Sequence, residues 1–175
     1  PEPFGDGGTK MAWNTFNVVS IYPNGNPVMS DVNQRWVGDC CACAVIASMA
    51  YLYPRFVKHI IKDNMDKTYT VTMYDPKGKQ ISVGVGGDYF IGNSGDLGAL
   101  GGRNKEVTWA TILEKAMIKW NQIYQGSSNV GGIGTEYVSA IFTGDGESVG
   151  FGANALIAED LQRAVEVSLK QGRLV

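Results

Sequence analysis

Residues 31–52 read DVNQRWVGDCCACAVIASMAYL, and the fold turns on how they are parsed. The first half is polar and closes on Gly38-Asp39. From Cys40 the chain carries no charge until Arg55. That run is short of the roughly 20 apolar residues a membrane span needs. A helix apolar on every side belongs in a protein core. The pattern predicts a helix from Cys40 to Tyr53, broken by Pro54. Asp39 is the expected N-cap, its carboxylate accepting from a first-turn amide. Cys40 then falls at the helix start, where unpaired amides and the macrodipole favour thiolate over thiol. A thiolate is the nucleophile of cysteine catalysis. Cys40, Cys41 and Cys43 also read as small buried residues, and the pattern alone favours that plainer account.

The segment Asp31-x-x-Gln34-x-x-x-Gly38-Asp39-Cys40, followed by an Ala-rich helix that reaches Ser48, resembles the active-site cysteine segment of calpain-like cysteine peptidases. These belong to the papain superfamily. The resemblance implies that Cys40 is the nucleophile. It also implies that Gln34, six residues earlier, helps form the oxyanion hole. A donor amide beside a thiolate can stabilise charge developing on a carbonyl oxygen. Two positions depart from the family. It usually has Gly after the glutamine and Trp after the cysteine; here they are Arg35 and Cys41.

At 175 residues the chain is long enough for one domain with a real core. Its net charge is −2, and no basic block points to nucleic acid. All three cysteines fall within four positions, so they form no disulfide framework and report no oxidising compartment. Cys-Cys-x-Cys without a nearby histidine makes a poor zinc site. The chain begins Pro-Glu-Pro and shows no signal peptide; a processed product and a cut piece of a longer chain fit equally. A secreted or cell-envelope setting is the expectation, with the cytoplasm as the alternative.

The remaining segments sort by pattern. Residues 1–30 read as an irregular lead-in rich in Gly, Pro and Asn. A short helix carrying Phe56, Val57, Ile60 and Ile61 follows Pro54. His59, the only histidine, falls there as a surface or partly packed residue. Residues 68–85 alternate around Asp75-Pro76-Lys77-Gly78 and predict a β-hairpin. Its pattern also looks like the strand region after the family's central helix, with Asp88 near the family's acidic positions. The Gly-rich stretch 84–102 lacks a Gly-Lys-Ser/Thr phosphate motif and reads as a long surface loop. Thr108 to Gln125 repeats apolar residues at three and four, with Gly126 as its stop. Within it, Trp109-x-x-x-Leu113-Glu114-Lys115-Ala116 resembles a second signature of the family. Residues 126–152 read as loop, and Thr135-Glu136-Tyr137 with Phe142-Thr143-Gly144 is similar to the family's Phe-Thr-Gly-Gly loop. Ala155 to Gln171 reads as an amphipathic helix, acidic early and basic late. Leu174-Val175 would start a strand in the family.

The expected fold is therefore α+β. Residues 31–175 would form the cysteine-bearing subdomain of a calpain-like core, behind the 1–30 lead-in. The resemblance implies a cysteine endopeptidase acting on polypeptides through an acyl-enzyme. The family's catalytic His and Asn come from a later subdomain. The expected partner is thus a C-terminal segment of the same precursor bearing them, retained after self-processing, and the 175 residues alone should be inactive. The resemblance further implies calcium. Asp31 lies nine residues before Cys40, as the family's calcium-binding aspartate does. Glu106 lies three before Trp109, where the family's glutamate lies two before. Hard calcium suits such oxygen ligands. Two other readings stay open: a catalytically silent module that binds or regulates other proteins, and a redox protein using Cys40 and Cys43.

Overall fold

The computed structural model describes residues 12–92, 94–145 and 158–172. It is an α+β fold. Strand β1 (Ala12–Thr15) opens the described chain, and a 3-10 turn spans Met29–Asp31. Helix α1 (Cys40–Leu52) and helix α2 (Pro54–Ile60) follow. Pro54 breaks the first helix as expected, and its fixed φ suits the first turn of the second. The two axes turn by 113° across the break. Among the described residues no single helix is long and apolar enough to cross a membrane.

Strands β2 (Ile61–Asp63), β3 (Tyr69–Tyr74) and β4 (Gln80–Val85) form an antiparallel sheet in sequence order. The predicted hairpin is β3–β4, in register Tyr69 with Val85 through Tyr74 with Gln80. Tyr69, Val71 and Met73 are buried opposite Val83 and Val85, which is the period of two that a half-buried sheet requires. The turn closes because Asp75 Oδ1 accepts from the amides of Lys77 and Lys79 at 2.8 and 2.9 Å.

Helix α3 (Trp109–Gln125) is the centre of the core. From Trp109 to Ile118 every residue is buried, Glu114 and Lys115 included. Thr108 caps it and Gly126 ends it in the left-handed conformation. Thr111 Oγ1 accepts from the Thr108 amide at 2.9 Å, so one amide at the start of the helix has its partner.

Several sequence readings need correction. Residues 12–15, read as part of an irregular lead-in, pair antiparallel with β5 (Asp88–Ile91). The Gly-rich stretch is not a surface loop. It supplies β5, and Leu97 through Gly102 are buried. Burial is possible because the backbone there is paired. Gly98 donates to Phe90 O at 2.8 Å, Trp36 donates to Gly98 O at 3.1 Å, and Asn33 and Gly101 bond reciprocally. Two glycines are needed for this closeness. A Cβ on Gly98 would stand 2.6 Å from the Phe90 ring, and one on Gly101 2.6 Å from Glu106 O. Residues 126–152 hold a helix, α4 (Thr135–Thr143), which packs on α1 and β3. The final helix, α5, runs Ala158–Lys170. Its expected start at 155–157, the end of the 126–152 loop and the strand at Leu174-Val175 lie outside the described residues. Nor is α1 buried all round: Ala42, Val45, Ile46, Met49 and Ala50 face the core, and Tyr51 is exposed.

The polar segment before α1 is fastened to α3 through Asp31. This carboxylate is buried and accepts from Trp109 Nε1 at 2.7 Å, Asn24 Nδ2 at 3.0 Å and the Val28 amide at 3.3 Å. Replacing Trp109 by Phe keeps most of the buried ring and deletes the shortest of these bonds. The variant should lose about 1–3 kcal/mol of stability, read as a lower denaturant midpoint. An unchanged midpoint would show that the bond does not anchor the segment.

Candidate active site

The site is assembled where three segments meet: the loop from Asn33 to Asp39, the first turn of α1, and the N-terminal end of α4. The loop is held from outside. Asn33 pairs with Gly101, and Trp36 donates its amide to Gly98. Arg35, standing where the family has glycine, sends Nη2 to Gly102 O at 2.6 Å. Its charged head is thus tied to the Gly-rich run. Gln34 Nε2 donates to Val37 O at 2.9 Å, closing the loop that delivers Cys40.

Cys40 is the first residue of α1, and its thiol is exposed. Asp39 occupies the N-cap position, yet its side chain caps no amide. The expected cap is corrected by burial. Asp39 is fully buried, with its carboxylate turned inward. There Cys43 Sγ donates to Asp39 Oδ1 at 3.6 Å, and the carboxyl of Glu114 from α3 lies within its reach. Burial pushes the Asp39 carboxyl up to about 6. Burial, then the charge of Asp39, holds Glu114 well above the usual carboxylate range. Glu114 Oε2 accepts from the Leu100 amide at 2.9 Å.

The three thiols are not equivalent. Burial, then the charges of Asp39 and Glu114, raises Cys43 far above an ordinary thiol. Cys41 is raised as well, by desolvation first, then by Cys40, Glu136 and Asp39. Both are therefore held as thiols near neutral pH.

His59 is exposed on α2. A helix rises about 1.5 Å per residue, so the far end of the 13-residue α1 lies roughly 18 Å from Cys40. Helix α2 turns by 113° there, and its 7 residues, at about 1.5 Å each, are too short to return His59 to the thiol. The two sequence-derived calcium candidates sit on neighbouring segments. The Asn33–Gly101 pairing joins the strand of chain after Asp31 to the run whose Gly102 donates to Glu106 O at 3.0 Å. Glu106 Oε2 is buried and has no hydrogen-bond partner among the described residues. No group of three or more His, Cys, Asp or Glu side chains converges on a metal position among them.

Glu114 escaped the sequence reading. Its signal was its place in a row with Ala110 and Ile118, an acid amid apolar residues on a helix otherwise read as core. The family signature drew attention to the same residues only as packing.

A sequence model described as calpain family cysteine protease matches residues 13–174. The chain belongs to the calpain family of cysteine proteases. No curated protein matches it. The family match runs across every described element from β1 to α5, so the papain-like α+β reading of the sequence holds for the fold. Within this calpain-family domain, chemistry separates the cysteines. Alkylation by iodoacetamide near neutral pH should modify Cys40 faster than Cys41 or Cys43, because it is exposed and because a raised pKa leaves those two with less thiolate. Peptide mapping by mass spectrometry reads the result, and preferential labelling of Cys41 or Cys43 would remove Cys40 from its place.

Proposed function

We propose that this domain hydrolyses peptide bonds with Cys40 as nucleophile. The observation that carries the reading is the exposed Cys40 thiol at the first turn of α1 in a calpain-family chain. The thiolate attacks the scissile carbonyl carbon, and its electron pair forms the C–S bond. The carbonyl oxygen takes up negative charge. Gln34 is the side-chain donor to that oxyanion. Its amide carries two N–H groups, and one is fixed on Val37 O, which leaves the second oriented for an acceptor. Collapse of the intermediate expels the amine, which must be protonated as it leaves. Water then hydrolyses the thioester.

The proton donor and base for these steps is an imidazole outside this chain's 175 residues, borne with its orienting asparagine on a C-terminal segment of the same precursor. His59 leaves from the wrong end of α1 to serve. Helix α5 supports a covering segment: none of its described residues is buried, and Leu161, Val167 and Leu169 are exposed. Without that segment the domain is inactive. Self-processing is the proposed route by which the two parts become separate chains.

The proposal extends to calcium. Asp31 and Glu106 offer hard oxygen donors, and the orphaned, buried Oε2 of Glu106 fits a cation that needs such an oxygen. Calcium would tie the segment before α1 to the Gly-rich run, fixing the loop that carries Gln34.

Two experiments test these readings. In the full-length enzyme, Cys40→Ala should abolish peptide hydrolysis, and Gln34→Ala should lower turnover by about 10²-fold with melting unchanged. A folded Gln34→Ala enzyme of full activity would exclude the amide from the mechanism. Calcium should raise the melting temperature, since a ligand of the folded state stabilises it. Glu106→Ala should shrink that rise by more than half; an equal rise in the variant would discard the site.

A further inference from the structure

Behind the proposed nucleophile lies a pair of buried carboxyl groups. Asp39 is fully buried and Glu114 is 1 % exposed. Their carboxyl groups lie within hydrogen-bonding reach of each other, but a bond between them needs a proton on one of the two. Of the four oxygens, two have ordinary donors. Cys43 Sγ serves Asp39 Oδ1, and the Leu100 amide serves Glu114 Oε2. The other two, Asp39 Oδ2 and Glu114 Oε1, have no other donor among the described residues. Two carboxylates cannot bond to each other, because each only accepts. The pocket that Glu114 helps to line, with Trp13, Tyr89, Phe90, Ala99, Lys115 and Ile118, holds about 10 Å³, at or below the roughly 10–15 Å³ a water needs.

We propose that Glu114 and Asp39 share one proton, Glu114 Oε1–H donating to Asp39 Oδ2, and that the pair is the positioning device that fixes the first turn of α1, and hence Cys40, on α3. One proton satisfies both remaining oxygens at once. It also leaves a single buried negative charge where two would repel.

The groups facing the pair are few. From α1 come the thiols of Cys41 and Cys43. From α4 comes Glu136, whose charge is felt at Cys41. From the Gly-rich run comes the Leu100 amide. From α3 itself comes Lys115, which turns toward β5 and donates to the carbonyls of Gly86 and Asp88. Glu114 is a positioning residue, since it acts through Asp39 and touches no substrate.

The pair makes stability depend on pH in a defined direction. Both carboxyls bind protons more tightly folded than unfolded, Asp39 with its value raised to about 6 and Glu114 well above its ordinary one. Their contribution is complete below the unfolded carboxyl range. It is lost as pH rises through the folded values, first that of Asp39 and then that of Glu114.

The test compares melting of full-length wild-type enzyme with Glu114→Gln and Glu114→Leu. Glutamine keeps both bonds: its Nε2 donates to Asp39 and its oxygen accepts from Leu100. Leucine keeps neither. As pH rises from about 5 through and above the Asp39 value of about 6, the wild-type melting temperature should fall by about 3 °C or more, and Glu114→Gln should fall by less than half as much. Glu114→Leu should melt lowest at every pH, and iodoacetamide should lose its selectivity for Cys40 only in that variant. A Glu114→Gln enzyme as pH-sensitive as wild type would overturn the shared proton. Cysteine selectivity intact in a folded Glu114→Leu enzyme would overturn the positioning role. This inference rests on Cys40 as nucleophile only for its catalytic consequence. An active Cys40→Ala enzyme would sink that assignment, while the melting profile would still decide the pair.

Discussion

The buried carboxyl of Glu114 is the joint on which the site depends. It sits mid-way along the most buried helix and reaches two segments that are far apart in sequence. One contact is the Leu100 amide in the Gly-rich run; the other is Asp39 at the start of α1. An apolar residue at 114 would fill the space but leave the Leu100 amide and Asp39 Oδ2 without partners in the core. Unmet polar groups in that position cost about 1–3 kcal/mol each. The joint therefore constrains more than packing. It fixes where the Gly-rich run lies against α3 and where α1 begins.

Asp31 makes a second attachment of the same kind, near the start of α3. Its carboxylate gathers Trp109, Asn24 and the Val28 amide, and the Thr108 hydroxyl donates to its carbonyl oxygen at 3.3 Å. Between Asp31 and Asp39 the chain is spanned by contacts to 98–102. The loop bearing Gln34 is thus clamped at both ends by buried acids and in the middle by backbone pairing. Such a loop is held in place with little regular structure, which suits a donor that must be preorganised.

The strong periodicities were legible in the sequence. The α3 repeat, the β3–β4 alternation and the Cys40 helix start each carry a signal within one element. What stayed hidden depends on partners elsewhere in the chain. β2 is three residues long and gains its identity from pairing with β3. β1 is four residues pairing with β5, 73 positions away at Thr15 and Asp88. The Gly-rich run looked like surface loop because glycine signals freedom. Here glycine instead permits close approach of backbone to Phe90 and Glu106. α4 was masked by flanking glycines at 134 and 144, which turn out to bound the helix. At the site, Cys40 and Gln34 were singled out by their resemblance to the family's cysteine segment. Asp39 was read as a cap because the pattern before a helix is local, whereas its true partner is Glu114, 75 positions later.

That exchange of partners bears on the chemistry of the thiols. A carboxylate capping α1 would occupy the free amides of its first turn. Turned inward, Asp39 leaves those amides to the solvent side. Its charge instead falls on Cys43, one turn further along, and helps keep that sulfur protonated. Burial does the larger part there and also raises Cys41. Three adjacent cysteines would otherwise be poorly distinguished by sequence. The fold separates them by access and by the side of the helix on which negative charge is stored. The acid under the helix thus keeps its charge on the Cys43 side of the first turn.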